Sequence, residues 1–290
     1  MLTRVLDHFG LQVESVNEVD DSHGSTVFKC TLRHNENIFV KIPFSKLKCQ
    51  RELEAYEILK GRVAIPSLLD YWAGDEECSG AFLLSELKGQ PLTAKASPTV
   101  AYQVGVLHAS MHLVQPPEGQ PLVGIQNEFP EWSSFVERHF YSFAEDVKDV
   151  VEPNLFKQAI AHFEKIKNQL PSPDGPSFIH MDFRPANIIV DGQSVSGTID
   201  FESVRFGSTE TDFTKINRDF LSLDTTLNQA YQEGYNSIRP LIDLEVVLPF
   251  YRFTDAFNSI GWCKRRGMEQ HTLFYEENVT ILKDTLKWMV

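Results

Sequence analysis

His180-Met181-Asp182-Phe183-Arg184-Pro185-Ala186-Asn187, followed thirteen residues after Asn187 by the Asp200 of Ile199-Asp200-Phe201-Glu202, is the stretch on which the reading of this chain turns. Between the two segments lie IIVD, Gly192 and VSGTID, which read as two short strands around a tight turn. The pattern is H-x-D-x-x-x-x-N with a strand-terminal aspartate behind it. Phosphoryl transfer to a hydroxyl needs these residue types together. One carboxylate must orient the hydroxyl and accept its proton, while a second carboxylate and an amide oxygen hold Mg²⁺ against the phosphates. Asp182 suits the first task, and Asn187 and Asp200 the second. Arg184, a cation in the same loop, is placed to meet the transferring phosphoryl group.

Outward from this island the chain changes character. Toward the N-terminus, Thr3–Phe9 reads as a short helix, and Thr26–Arg33 and Ile38–Ile42 as strands. A helix capped by Ser45 and closed near Gly61 follows, then a hairpin of Leu68–Trp72 and Ala81–Ser85. Lys88-Gly89-Gln90-Pro91 reads as a linker. Beyond it, helical patterns cover 97–114, 131–148 and 153–169, and helical periodicity returns from Thr211 to the C-terminus. The expected fold is α+β and two-lobed: a β-rich lobe over 1–87, a connector over 88–91, and a mainly helical lobe over 92–290 with the β-island inserted.

HMDFRPAN resembles the protein-kinase catalytic loop H-R-D-L-x-x-x-N, and IDFE stands where those kinases carry D-F-G. On these residues the chain resembles the small-molecule branch of the protein-kinase-like superfamily, the aminoglycoside phosphotransferase and choline kinase family. That branch usually has Gly between the His and the Asp, where this chain has Met181. The resemblance implies a two-lobed kinase fold and further roles over roughly residues 15–215. Lys41, on a strand, would anchor the α/β phosphates, held by Glu52 on the next helix. Phe82–Leu87 resembles the hinge strand, with the Ser85 carbonyl and Leu87 amide on adenine. Asp20–Ser25 resembles the loop that covers the phosphates, which brings Ser25 to the nucleotide. Asp212 matches an aspartate that braces the catalytic loop. The implied cofactors are ATP or GTP with Mg²⁺, and the implied partner is a small-molecule hydroxyl acceptor.

Composition bounds the alternatives. The chain has 290 residues, 42% hydrophobic and 23% charged, with a net charge of −13. That is a globular chain, and its acidity argues against broad nucleic-acid binding. Residues 91–290 carry 17 Lys+Arg against 26 Asp+Glu, which favours a cationic acceptor such as an aminoglycoside or amino alcohol. Four scattered cysteines make neither a zinc ribbon nor a disulfide framework. With no signal-like or membrane-spanning run, a cytoplasmic enzyme without membrane association is expected. G-x-S-x-G, the P-loop motif and the dinucleotide-binding glycines are absent. His108 and His112 stand four apart on a helix but lack the adjacent Glu of H-E-x-x-H, so both read as structural, as does His180. Glu202 is open between a water-mediated metal contact and a bond to nearby backbone. Two other functions fit parts of the pattern: a catalytically silent nucleotide-binding pseudokinase, and a metal-dependent phosphohydrolase using Asp182 and Asp200.

Overall fold

The computed structural model describes residues 1–19, 24–33, 35–119 and 121–287. In chain order its elements are α1 (Leu2–His8), β1 (Val13–Glu18), β2 (Thr26–Leu32), β3 (Asn37–Ile42), α2 (Lys46–Leu59), β4 (Leu68–Trp72), β5 (Ala81–Ser85), β6 (Gln90–Pro91) and α3 (Pro98–His112). Then come α4 (Trp132–Ser142), α5 (Ala144–Lys148), α6 (Pro153–Ile166), β7 (Ser177–Ile179), β8 (Ile188–Asp191), β9 (Ser194–Thr198) and β10 (Arg205–Gly207). The chain closes with α7 (Phe213–Asp219), α8 (Thr225–Asn236), α9 (Leu244–Arg266) and α10 (Thr272–Lys287). Met1–Asn127, Ser177–Phe206 and Lys215–Pro240 gather into one compact unit. Glu128–Pro176, Gly207–Thr214 and the segment from Leu241 onward form a second.

In the first unit, β1 to β5 make an antiparallel sheet in the order β1-β2-β3-β5-β4. Val40, Ile38 and Cys30 are buried on the sheet's inner side, where Val5 of α1 joins them. Burying such side chains contributes about 1.5–3 kcal/mol apiece. Strand β1 has no apolar alternation, because as an edge strand it is mostly exposed, and so periodicity does not reveal it. Ser45 caps α2 as expected, its Oγ accepting from the Lys48 amide. The segment expected as a linker carries β6, whose Gln90 and Pro91 pair with Val190 and Ile189 of β8.

Helices α3 and α8 cross backbone to backbone. A Cβ on Gly105 would come within 2.1 Å of the Tyr231 carbonyl, and one on Gly234 within 2.0 Å of the Tyr102 carbonyl. That approach sets His108 Nδ1 2.6 Å from the Tyr231 hydroxyl and His112 Nδ1 2.8 Å from that of Tyr235. His108 also stacks on Phe183 at 3.8 Å. Both histidines are buried, and through Phe183 His108 supports the loop that carries Asp182.

The second unit is helical around stacked rings. Phe140 lies 3.9 Å from Phe163 and 4.1 Å from Phe257, and the Trp132 indole donates to the Tyr251 hydroxyl at 2.9 Å. The single helix expected over 131–148 is two, broken at Phe143. Its ring packs on α9, against Gly261 and beneath the Arg265 guanidinium at 4.1 Å. Tertiary packing of one aromatic side chain thus outweighs helix continuity.

Candidate active site

Lys41 sits on β3, opposite Val27 on β2 and Phe82 on β5. Both neighbouring strands hold it, and its side chain is buried. Its ammonium reaches Glu52 Oε1 at 2.8 Å and Asp200 Oδ1 at 2.7 Å. One lysine therefore joins α2 to the end of the β8–β9 hairpin. Burial would lower the Lys41 pKa, but the charges of Asp200 and Glu52 outweigh it and keep the ammonium protonated. Burial pushes the Glu52 carboxyl up, against the pull of Lys41. Burial acts on Asp200 in the same sense, yet Lys41 holds it below the ordinary aspartate range.

The hairpin brings the motif together. The Asn187 carbonyl accepts from the Ile199 amide at 3.0 Å and from the Thr198 hydroxyl at 2.8 Å, which fixes Asn187 beside the approach to Asp200. The Asn187 amide donates to the Asp182 carbonyl at 2.9 Å and to Asp182 Oδ2 at 3.0 Å. With its NH₂ so engaged, Asn187 has its side-chain oxygen left to bind elsewhere. Asp200 likewise uses Oδ1 on Lys41 and leaves Oδ2. Two hard oxygens on adjoining segments suit Mg²⁺, which prefers oxygen ligands and keeps several waters or phosphate oxygens. The donor set therefore fits the expected metal. His180 is buried, and its Nε2–H donates to the Ile199 carbonyl at 3.0 Å, so it pins the hairpin.

Asp182 is flanked by cations. Arg184 Nε lies 3.3 Å from its Oδ2, and Lys215 Nζ lies 2.6 Å from its Oδ1. Burial would raise its carboxyl, but Lys215 first and Arg184 second hold it below the usual range. Lys215, on α7, was not among the expected site residues. It stands 33 positions from Asp182, and no local pattern marks it.

The phosphate-covering loop was expected over Asp20–Ser25. Asp20 to His23 lie outside the described residues, whereas Gly24 and Ser25 are described. Ser25 Oγ donates to Glu202 Oε2 at 2.7 Å, and Lys48 Nζ reaches Glu202 Oε1 at 2.6 Å. A side chain at Gly24 would collide with Glu202, its Cβ only 2.4 Å from Oε1. Glu202 thus spends both oxygens tying the loop and α2 to the segment after Asp200. Where the hinge is expected, Ser85 ends β5 and its hydroxyl accepts from the Ser67 amide at 2.8 Å. Glu86 pairs with Lys29 at 2.7 Å and with Asn37, which holds the chain leading to Leu87. Asp212 is buried at the end of a 3-10 turn, Thr209–Asp212.

The sequence profile of the phosphotransferase enzyme family matches residues 15–250. The chain belongs to that family. No curated protein matches it by sequence. Solved structures resemble it along nearly its full length at low identity. The GDP and kanamycin complex of APH(2")-IIia superposes with a TM-score of 0.76 at 13% identity, covering 100% of this chain and 99% of that one. The macrolide 2'-phosphotransferase MphH from Brachybacterium faecium gives 0.69 at 14%, covering 97% and 96%. Spectinomycin phosphotransferase with ADP and spectinomycin gives 0.63 at 14%, covering 99% and 95%. At such identities the likeness is one of fold, and it accords with the expected α+β, kinase-like architecture. This phosphotransferase therefore carries its hydroxyl-directed motif on the fold that the motif implies.

Proposed function

We propose that this phosphotransferase moves the γ-phosphate of ATP or GTP to a hydroxyl of a small molecule, with residues 1–87 serving the nucleotide, 88–91 as connector and 92–290 the acceptor. The observation that carries the reading is the Lys41 ammonium bridging Glu52 and Asp200, while the Asn187 amide holds Asp182. Asp182 orients the acceptor hydroxyl and takes its proton. Lys41, steadied by Glu52, anchors the phosphates, and Arg184 offsets charge on the transferring group. Ser25 serves the phosphates from the covering loop, and the Ser85 carbonyl and Leu87 amide take the purine. Asn187 and Asp200 would hold Mg²⁺, which would offset the negative charge of the phosphates.

Kanamycin, spectinomycin and macrolides, named with the structural neighbours, support a polyhydroxylated acceptor, and the acidic residues 91–290 support a cationic one. Any ammonium on the acceptor should lie away from the reacting hydroxyl, because Arg184 and Lys215 already flank Asp182. Four free, buried cysteines are consistent with a reducing, cytoplasmic setting. Among the described residues no helix is long and apolar enough to cross a membrane.

Nucleotide consumption with Mg²⁺ across aminoglycosides, macrolides, amino alcohols, sugars and hydroxylated amino acids tests the proposal. The expected result is acceptor-dependent ADP or GDP release that Asp182→Asn lowers by about 10²-fold or more, with near-normal nucleotide affinity. Release of inorganic phosphate alone, whatever the acceptor, would point to a phosphohydrolase. Nucleotide binding without turnover would point to a pseudokinase.

A further inference from the structure

The Asp182 carboxylate is held from two sides by two different elements. The catalytic loop supplies Asn187, whose amide reaches Oδ2 at 3.0 Å. Helix α7 supplies Lys215, whose ammonium reaches Oδ1 at 2.6 Å in a partly buried setting. The torsion that turns an aspartate's carboxylate plane joins sp³ to sp² carbon and has no sharp preferred angle. One hydrogen-bonded oxygen leaves the plane free to swing about that contact, whereas a second anchor on the other oxygen stops it. Lys215 lies in the first turn of α7, an element separate from the loop that carries Asp182. A carboxylate oxygen has two lone pairs, so Oδ1 can bind Lys215 and still accept a hydroxyl.

We infer that Lys215 is a positioning residue for phosphoryl transfer, fixing the Asp182 carboxylate through Oδ1 in the orientation that receives the acceptor hydroxyl. This rests on the kinase reading of Asp182. Phosphoryl transfer depends mostly on placement, and misplacement of a reacting group by about 1 Å costs about 10²-fold. Lys215 acts through Asp182, so its loss should slow transfer while sparing the nucleotide, which other residues hold.

Lys215→Met, Lys215→Gln and Lys215→Arg, made in the wild-type and Asp182→Asn backgrounds, test this. The assay follows ATP or GTP with Mg²⁺, first with kanamycin, then with the best hydroxyl acceptor of the screen, and finally with water alone. Lys215→Met should lower kcat by about 10²-fold with nucleotide KM within about twofold, and Lys215→Arg should recover part of the loss. In the Asp182→Asn background Lys215→Met should cause no further fall, because the group it positions is already gone. A folded Lys215→Met or Lys215→Gln protein with kcat within about threefold of wild type overturns the inference, as does a full further loss on top of Asp182→Asn. If neither neutral variant folds, Lys215→Ala decides: kcat within about threefold of wild type overturns the inference, and a kcat lowered by about 10²-fold with unchanged nucleotide KM supports it. A wild-type protein that phosphorylates none of the acceptors, or releases only inorganic phosphate, removes the kinase reading and this inference with it.

Discussion

Met181 and Asp200 hold left-handed backbone angles, φ 65° and 72°, that side chains beyond glycine seldom adopt. One directly precedes Asp182, and the other follows the β8–β9 hairpin with Ile199 between. Such conformations cost about 1–3 kcal/mol each and persist where surrounding contacts over-determine them. At Asp200 those contacts include the Lys41 ion pair. The φ of Met181 also accounts for the glycine usual at this point of the family's loop, since glycine takes a positive φ without steric cost. Met181→Gly should therefore be more stable than Met181→Ala by about 1 kcal/mol, the reverse of the order in a helix or strand interior. Paired urea melts measure the difference, and equal or inverted stabilities would show that the loop relaxes once the methionine side chain is removed.

Helix α2 bears a run of four site-building residues within two turns. Lys48 reaches Glu202, Arg51 reaches the Glu202 carbonyl at 3.0 Å and the Gly124 carbonyl at 2.9 Å, and Glu52 pairs with Lys41. Glu54 accepts from the backbone amides of Val123, Gly124 and Ile125 at 2.8–3.1 Å. The helix is anchored by its neighbours on the side that presents Glu52. Burial would raise the Glu54 carboxyl, but the Gln50 amide and the three backbone donors outweigh it and hold it below the ordinary glutamate value. A depressed folded pKa gives stability that is present above the unfolded value, about 4.3, and is lost as pH falls through the folded one. Glu54→Gln turns an NH₂ toward backbone donors, so a loss of about 2–4 kcal/mol is expected at neutral pH. The variant should also show a shallower fall in stability than wild type as pH drops below about 4.3. Urea melts at pH 7 and across the acid range test both; parallel pH profiles would rule out titration of Glu54 as a source of acid sensitivity. Lys41→Ala should leave the sheet folded, since Val40 and Ile38 carry its packing, yet weaken nucleotide binding in calorimetry by about tenfold or more. A variant that binds nucleotide like wild type would make Lys41 a structural residue.

At the scale of the whole molecule, nucleotide, metal and fold should be linked. Asn187 and Asp200 would offer Mg²⁺ only two protein oxygens, too few to hold it alone, so the nucleotide should strengthen its binding. ATP with Mg²⁺ should therefore raise the thermal transition more than ATP alone, because a ligand that binds only the folded state stabilises it in proportion to its affinity. Asp200→Ala should abolish the extra shift while keeping that of ATP alone. An equal Mg²⁺-dependent shift in both proteins would remove Asp200 from the metal site.

The catalytic loop, the strand–turn–strand unit and the strand bearing Lys41 are legible in the sequence because each is local. A tight turn between short strands forces Asn187 and Asp200 together whatever surrounds them, and a lysine among apolar strand residues needs a buried partner. The α+β kinase-like class follows from the same segments. Sequence does not reveal Lys215 on Asp182, Glu54 on the 123–125 amides, or Glu202 tying Ser25 to Lys48. Those partners lie 33 to 177 positions apart, and each residue alone looks like a solvated charge. The break at Phe143 and the edge strand β1 escape for a related reason: one is decided by a ring packing on α9, the other by pairing that leaves its side chains in water. Local spacing determined which groups are available for the chemistry. Only the tertiary structure decided which charges meet, because an ion pair between distant residues leaves no periodicity in either.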